Sequence, residues 1–236
     1  MNPLLQQWLL NLAISFPIPL RLLSPAILNG RDDEPHALNV RSLQGFTFED
    51  CVPCLVELAE NGLVSFSDRS HRKTAPRDLA SLMRRPGAEM ELSFKLTRAG
   101  GLAWESMAEP RWHDMTDGYG TPRVGDGNLT GLCDWILFSQ TQEHLIAELG
   151  WYPMLHSGDQ INLATVRWSL AANYRVKYWK RLPNVHVVKF RSCLPPSEWR
   201  YERVPSWLTS WWHARSNWYR HPWEMGGWPP GRESLH

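Results

Sequence analysis

The sequence predicts an α+β protein whose N-terminal half has a winged-helix-like arrangement. A helical stretch at 47–61 leads into a short alternating strand at 63–67, and a second alternating strand follows at 89–96. Later runs such as TVRWSL and VHVVKF are rich in β-branched and aromatic residues, which is typical of strands. We therefore predict a winged-helix-like domain over 1–110, a small mixed α/β unit over 131–195 and a tryptophan-rich C-terminal segment over 196–236 that packs on it.

Composition and charge limit the classes of function. The chain has 236 residues, with 43% hydrophobic and 21% charged residues, which excludes wholesale disorder. Its 25 Lys and Arg balance 24 Asp and Glu, so the sequence gives no support to a broad basic surface for nucleic acid or anionic membrane. A local basic patch remains possible.

The N-terminal stretch is apolar, and we predict a packed amphipathic helix over 3–14. No basic side chain precedes Arg21, and Pro17 and Pro19 interrupt the apolar run, so neither an export signal nor a membrane anchor is expected. We accordingly expect a soluble, cytoplasmic protein without a membrane partner.

The helix 47–61 has clear ends. Thr47 can cap it, acidic residues occupy its first turn, and Asn61-Gly62 is a stop signal. Its predicted apolar stripe consists of Val52, Leu55, Val56 and Ala59. We expect 89–96 to pair antiparallel with 63–67, with one row of side chains facing the helices: Met90, Leu92, Phe94 and Leu96.

Thr97 is predicted to cap the next helix, RAGGLAWESMA. Two glycines in a first helical turn cost about 1 kcal/mol each relative to alanine, so close packing or anion capture must offset them. No phosphate-loop pattern surrounds Gly100-Gly101, and packing is the favoured explanation. The Gly- and Asp-rich stretch 111–130 is predicted to be a loop and domain boundary.

The second half is predicted to begin with a buried strand and a helix. The helix is expected to end at Gly150. The predicted elements are a strand at 133–139, a helix at 140–149, and strands at 165–170, 174–178 and 185–190.

Cys51-Val-Pro-Cys54 has the CxxC spacing used in thiol redox chemistry and in metal binding. A zinc site needs a second ligand pair, and Cys133 and Cys193 stand alone along the chain. We favour core packing for these thiols. No catalytic residue, metal ligand or cofactor-binding residue is assigned, and no cofactor is expected.

Two surfaces are candidates for binding a partner. The first is the basic loop with Arg69, Arg72, Lys73 and Arg77, where a wing would contact DNA phosphates. The second is the tail, where seven of the 14 Trp lie in 199–228. Trp and Arg are enriched at interface hot spots, and the tail residues assigned to binding are Trp211, Trp212, Arg215 and Trp218. We expect most of 199–218 to pack on its own chain.

Two motifs carry a resemblance to a group of uncharacterised bacterial proteins. The first is LTxxGGxxWE, matched by Leu96, Thr97, Gly100, Gly101, Trp104 and Glu105; the second is YWKxLP, matched by Tyr178, Trp179, Lys180, Leu182 and Pro183. The resemblance covers roughly 47–190 and implies a shared fold. It implies no chemistry, and an immunity or defence-associated role rests on the bacterial resemblance alone.

Three functions remain open at this stage. The favoured one is a non-enzymatic protein-binding module, because the helix 47–61 carries Glu49, Asp50, Glu57 and Glu60 and no basic residue that could read DNA bases. The alternatives are a winged-helix DNA-binding regulator and an enzyme whose site follows none of the GxSxG, Walker A or GxGxxG patterns. The oligomeric state is left open.

Overall fold

The computed structural model confirms the α+β class and divides into two compact units. The first unit draws its described residues from Met1–Glu109 and Lys177–Lys180, and the second from Pro110–Val176 and Arg181–Tyr219. The chain therefore leaves the second unit after Val176, supplies four residues to the first, and returns. The structure describes residues 2–23, 46–68, 72–75, 78, 79, 81, 92–125, 128–155, 159–193, 218 and 219.

The described part of the first unit includes three α-helices, α1 (Pro3–Leu12), α2 (Phe48–Glu60) and α3 (Arg98–Ala108), and a 3-10 helix at Leu20–Leu23. The predicted cap of α2 is confirmed and is a reciprocal capping box. The Asp50 backbone N–H donates to Thr47 Oγ1 at 3.1 Å, and the Thr47 backbone N–H donates to Asp50 Oδ2 at 2.8 Å. The Asp50 carboxylate also accepts from the Thr47 hydroxyl at 2.9 Å, and the two hydrogen bonds that it accepts, from the backbone N–H and the hydroxyl of Thr47, hold its pKa below the ordinary value.

The buried face of α2 differs in part from the predicted stripe. Leu55 and Ala59 are buried as expected, but Val52 and Val56 are only half-buried. Cys51, Cys54 and Leu58 are buried in their place, since α2 packs against α1 along a face rotated from the predicted one.

A four-stranded antiparallel sheet completes the first unit, in the spatial order β1-β4-β2-β3. Its strands are β1 (Ile18–Pro19), β2 (Val64–Ser67), β3 (Lys73–Thr74) and β4 (Ser93–Leu96). The predicted pairing is confirmed, with Val64 opposite Leu96 and Phe66 opposite Phe94. Leu92, Phe94 and Leu96 are buried, whereas Met90 lies outside the described residues.

The second unit contains a larger antiparallel sheet, in the order β5-β6-β10-β7, with one helix on one face. Its elements are β5 (Thr116–Gly125), β6 (Asn128–Ser139), α4 (Gln142–Leu155), β7 (Gln160–Ala171) and β10 (Val185–Cys193). A two-stranded sheet, β8 (Tyr174–Lys177) and β9 (Lys180–Leu182), lies between β7 and β10 in the sequence.

Two predictions for this half are wrong. The stretch 111–130 is not a loop: β5 and β6 pair from Thr116 opposite Ser139 to Gly125 opposite Asn128. Its glycines are compatible with a strand because Gly118 and Gly120 face the bulky side chains of Leu137 and Trp135. Gly150 does not end α4, which continues to Leu155. Among the described helices none is long and apolar enough to cross a membrane.

Substituting Phe94 tests the fold of the first unit. Phe94 is fully buried, so Phe94→Asp places an unpaired carboxylate in the core and is expected to lower the free energy of unfolding by several kcal/mol. Ser93→Asp, at the adjacent half-buried position of β4, is expected to cost far less. Urea denaturation followed by tryptophan fluorescence measures both. Equal losses for the two variants would contradict the placement of β4.

Candidate functional site

The two motifs that carried the family resemblance meet in the first unit. A Cβ on Gly101 of α3 would lie 2.2 Å from Cε3 of the Trp179 ring, so only glycine admits the indole there. The same ring packs edge-on against Trp104, with centroids 5.9 Å apart. Gly100 faces Leu63, whose carbonyl oxygen would lie 1.9 Å from an added Cβ. The packing explanation of the glycine pair is therefore confirmed.

The residues that flank Trp179 in the sequence make polar contacts within the first unit. Tyr178 Oη accepts a hydrogen bond from the Leu96 backbone N–H at 2.5 Å and donates to the Ala13 carbonyl at 2.6 Å. Lys180 Nζ lies 2.9 Å and 3.0 Å from the two carboxylate oxygens of Glu105. Burial raises the pKa of the Tyr178 phenol, which keeps its proton available for the bond to Ala13.

We call the four residues Lys177–Lys180 the inserted tip. Each has a partner in the first unit, including Lys177, whose Nζ donates to Ser15 Oγ at 3.0 Å. The conspicuous residues of both motifs thus serve packing and hydrogen bonding, and the inserted tip has a structural role in the first unit.

The CxxC cysteines are buried in α2. Burial, the neighbouring thiol and nearby carboxylates raise the pKa of Cys51 to about 12, and burial and Glu57 raise that of Cys54 to about 11, against an ordinary value of 9.0. Thiolates are therefore suppressed at neutral pH. Within the described residues, no group of three His, Cys, Asp or Glu side chains is placed to hold a metal ion. Cys133 and Cys193 are half-buried free thiols in the second unit.

A groove of about 520 Å³ opens beside Cys54 at the N-terminal ends of α1 and α2. Two of the polar side chains that line it form helix-cap hydrogen bonds. Asn2 Oδ1 accepts from the Leu4 backbone N–H at 3.0 Å, and Asp50 Oδ2 accepts from the Thr47 backbone N–H at 2.8 Å. Glu49 and Glu57 remain on its wall. Cys54 also lines the groove, and burial and Glu57 keep its thiol protonated at neutral pH.

The basic loop is described only in part. Arg72 and Lys73 are exposed where the chain enters β3. The Arg72 backbone N–H donates to Asp68 Oδ1 at 2.9 Å, and the Asp68 backbone N–H donates to the Arg72 carbonyl at 3.0 Å. Arg69 and Arg77 lie outside the described residues. The two cations that are described do not by themselves form a phosphate-binding surface.

Of the tail residues assigned to binding, the structure describes Trp218. Its side chain is buried, its ring lies 5.0 Å from that of Trp112, and its carbonyl accepts a hydrogen bond from the Arg111 N–H at 2.6 Å. Trp218 therefore packs within the second unit, and the rest of 199–218 lies outside the described residues. Trp211, Trp212 and Arg215 lie outside the described residues.

A surface that sequence reasoning missed is the open edge of the second sheet. β7 is an edge strand of twelve residues, about twice the usual strand length, and among the described strands it pairs only with β10. Three of its large apolar side chains are exposed: Leu163 by 80%, Trp168 by 41% and Leu170 by 62%. The β-branched and aromatic residues of TVRWSL predicted a strand, but an edge position depends on long-range pairing that the local pattern does not encode.

The two edges of this sheet differ in how they resist further pairing. β5 carries Pro122 and three glycines, which weaken strand addition. β7 has no proline or glycine, and its one charged residue is Arg167. An irregularity over 163–166 separates its two paired stretches, and the straight stretch Arg167–Ala171 lies opposite Val185–Lys189. We call Arg167–Ala171, with the neighbouring Leu163, the β7 edge.

One face of the β7 edge is basic. Arg167 lies directly opposite Lys189 in the ladder, and both side chains are exposed. Like charges opposite each other destabilise a sheet. Arg191, on the same face, is paired with Asp134 at 3.3 Å, but within the described part of the chain no carboxylate forms an ion pair with Arg167 or Lys189. We call Arg167 and Lys189 the basic pair.

No protein-family model, no curated protein and no solved structure matches the chain.

Replacing the glycine beneath Trp179 tests the inserted tip. Gly101→Ala is expected to lower the free energy of unfolding by about 2–4 kcal/mol, because the added methyl group overlaps the indole. The matched control is Gly150→Ala in α4, where a Cβ meets nothing within 4 Å. That change is expected to stabilise the protein by about 0.5–1 kcal/mol through helix propensity. Thermal denaturation measures both, and stabilisation by Gly101→Ala would refute the packing.

The buried thiols give a second prediction. In a Cys133→Ser/Cys193→Ser variant, Cys51 and Cys54 are expected to react slowly with a disulfide reagent at pH 8 and at once in guanidinium, because burial suppresses the thiolate. Their raised folded-state pKa values also predict a pH dependence. The stabilisation is complete below about pH 9 and is lost as pH rises toward 11–12. Rapid labelling of the native variant would show that these cysteines are accessible.

Proposed function

We propose that this protein is a non-enzymatic protein-binding module that recognises an extended segment of its partner through the β7 edge. The observation that carries the proposal is the combination of an unprotected edge strand with exposed Leu163, Trp168 and Leu170. Exposed strand edges offer backbone hydrogen bonds, and alternate side chains supply specificity. An isolated exposed leucine needs no explanation, but three large apolar residues along one open edge do.

The mode of binding is strand addition. A partner strand aligned with Arg167–Ala171 adds a fifth strand beside β7, and its alternate side chains contact Trp168 and Leu170 on the face that α4 partly covers. Val188, opposite Trp168, belongs to the core cluster beneath α4. The apolar contacts of the partner would therefore extend an existing core.

We further propose that the first unit is a winged-helix-like scaffold of the kind shared by the bacterial group with the two motifs. The order α2, β2, β3, β4, with α3 after the sheet, and the antiparallel pairing of β2 with β4 support this hypothesis. Glu49, Glu57 and Glu60 are exposed on α2, so the helix before the proposed wing suits contact with protein better than with DNA phosphates. A role in a bacterial defence system rests on the resemblance alone.

The β7 edge is tested with peptides selected by display against the immobilised full chain. Leu170→Lys replaces an exposed apolar side chain at the edge and is expected to weaken binding of a selected peptide about tenfold. Leu102→Lys is the matched control, because Leu102 is 55% exposed on α3. It is expected to leave the affinity unchanged. Selected peptides whose affinity is the same for both variants would refute binding at the β7 edge.

A further inference from the structure

The basic pair defines what kind of segment the β7 edge accepts. Arg167 and Lys189 lie side by side on one face of the sheet, whereas Trp168 and Leu170 point to the other face. A strand added beside β7 places alternate residues on these two faces. The face occupied by the basic pair would therefore receive every second side chain of the partner.

Among the described residues, no carboxylate forms an ion pair with Arg167 or Lys189, and Asp134 on the same face is paired with Arg191. The Arg167 guanidinium donates to the carbonyls of Ala164 and Val166, at 3.0 Å and 2.8 Å, which orients it along the edge without neutralising it. Lys189 has the exposed Arg167 as its neighbour on one side and Ile136 on the other. A carboxylate opposite Arg167 would lie within reach of that guanidinium and would relieve the repulsion across the ladder.

The irregular stretch 163–166 of β7, which precedes Arg167–Ala171, is held by hydrogen bonds. Thr165 Oγ1 donates to the Asn162 carbonyl at 2.6 Å and accepts from the Arg191 backbone N–H at 2.9 Å. The Ala164 N–H donates to Asn162 Oδ1 at 3.2 Å. These bonds end the straight edge at Arg167, so the basic pair stands at one end of the segment available for pairing.

A second copy of this chain fits the edge less well. Two β7 strands paired antiparallel about Ser169 would place Ala171 opposite Arg167, and the basic pair of each copy would stay uncompensated. Trp168 of each copy would still lie opposite Leu170 of the other. The charge of the basic pair is therefore the feature that favours a segment of another protein over a second copy of this chain.

We infer that the β7 edge binds an extended acidic segment of another protein, in which Asp or Glu alternates with β-branched or other apolar residues. This inference rests on the proposed function and adds the chemistry of the partner. Acidic residues of the segment face the basic pair, and its apolar residues cover Trp168 and Leu170.

The test compares two synthetic peptides of about ten residues, one alternating Glu with Val and one alternating Lys with Val. The Glu peptide is expected to bind the full chain about threefold to tenfold more tightly at low salt, and the difference is expected to shrink as salt rises. In Arg167→Glu/Lys189→Glu the preference is expected to reverse. If that variant fails to fold, Arg167→Gln/Lys189→Gln is expected to abolish the preference.

Several outcomes would overturn the inference. Equal binding of both peptides, lost in Leu170→Lys, would leave the β7 edge as a binding site and refute an acidic partner. Failure of both peptides to bind would also refute it, while the display experiment reports on the β7 edge separately. A concentration-dependent dimer in sedimentation that Leu170→Lys dissolves would make a second copy the occupant.

Discussion

The packing of Trp179 against Gly101 is the contact on which the first unit depends. The inserted tip comes from the second half of the sequence and belongs to the first unit. Its Trp179 ring occupies the space that a side chain at position 101 of α3 would need. Tyr178 then satisfies the Leu96 N–H and the Ala13 carbonyl, and Lys180 pairs with Glu105. Buried backbone groups without partners are costly, so these contacts stabilise the unit as a set rather than singly.

This arrangement gives the conspicuous residues of both motifs a structural role. A glycine pair at a helix start can serve anion binding or close packing. Here the glycines accommodate Leu63 and Trp179, and the charged residues form an ion pair at 2.9 Å. The β7 edge of the second unit combines strand backbone groups with exposed apolar side chains and the basic pair, and it is there that we propose partner binding.

Local signals in the sequence predicted much of the fold. Thr47 and Thr97 each cap the helix that follows, and the alternation of Phe94 and Leu96 gave the correct face and pairing of β4. Glycine predicted a turn before β6 and a helix end at 150. Gly118 and Gly120 instead lie in β5 beneath Leu137 and Trp135, and this pairing with a neighbouring strand is not encoded within a short window. Gly150 has no such contact, and α4 continues through it at the usual cost of glycine in a helix, about 1 kcal/mol.

The same limit applies to the candidate site. Binding was assigned to Arg72, Lys73 and Trp218 from residue type, and Trp218 is buried against Trp112. The β7 edge depends on which strand ends the sheet and on which residues stand opposite each other, such as Arg167 and Lys189. These relations join residues more than 20 positions apart, so composition and spacing could not reveal them.

Hydrogen–deuterium exchange of the full chain with and without a bound acidic peptide tests the central claim most directly. Strand addition at the β7 edge predicts new amide protection confined to the straight stretch Arg167–Ala171 and its immediate neighbours, because those backbone groups gain hydrogen-bond partners. Protection that appears on β3 or α2 instead, with β7 exchanging as before, would contradict the account.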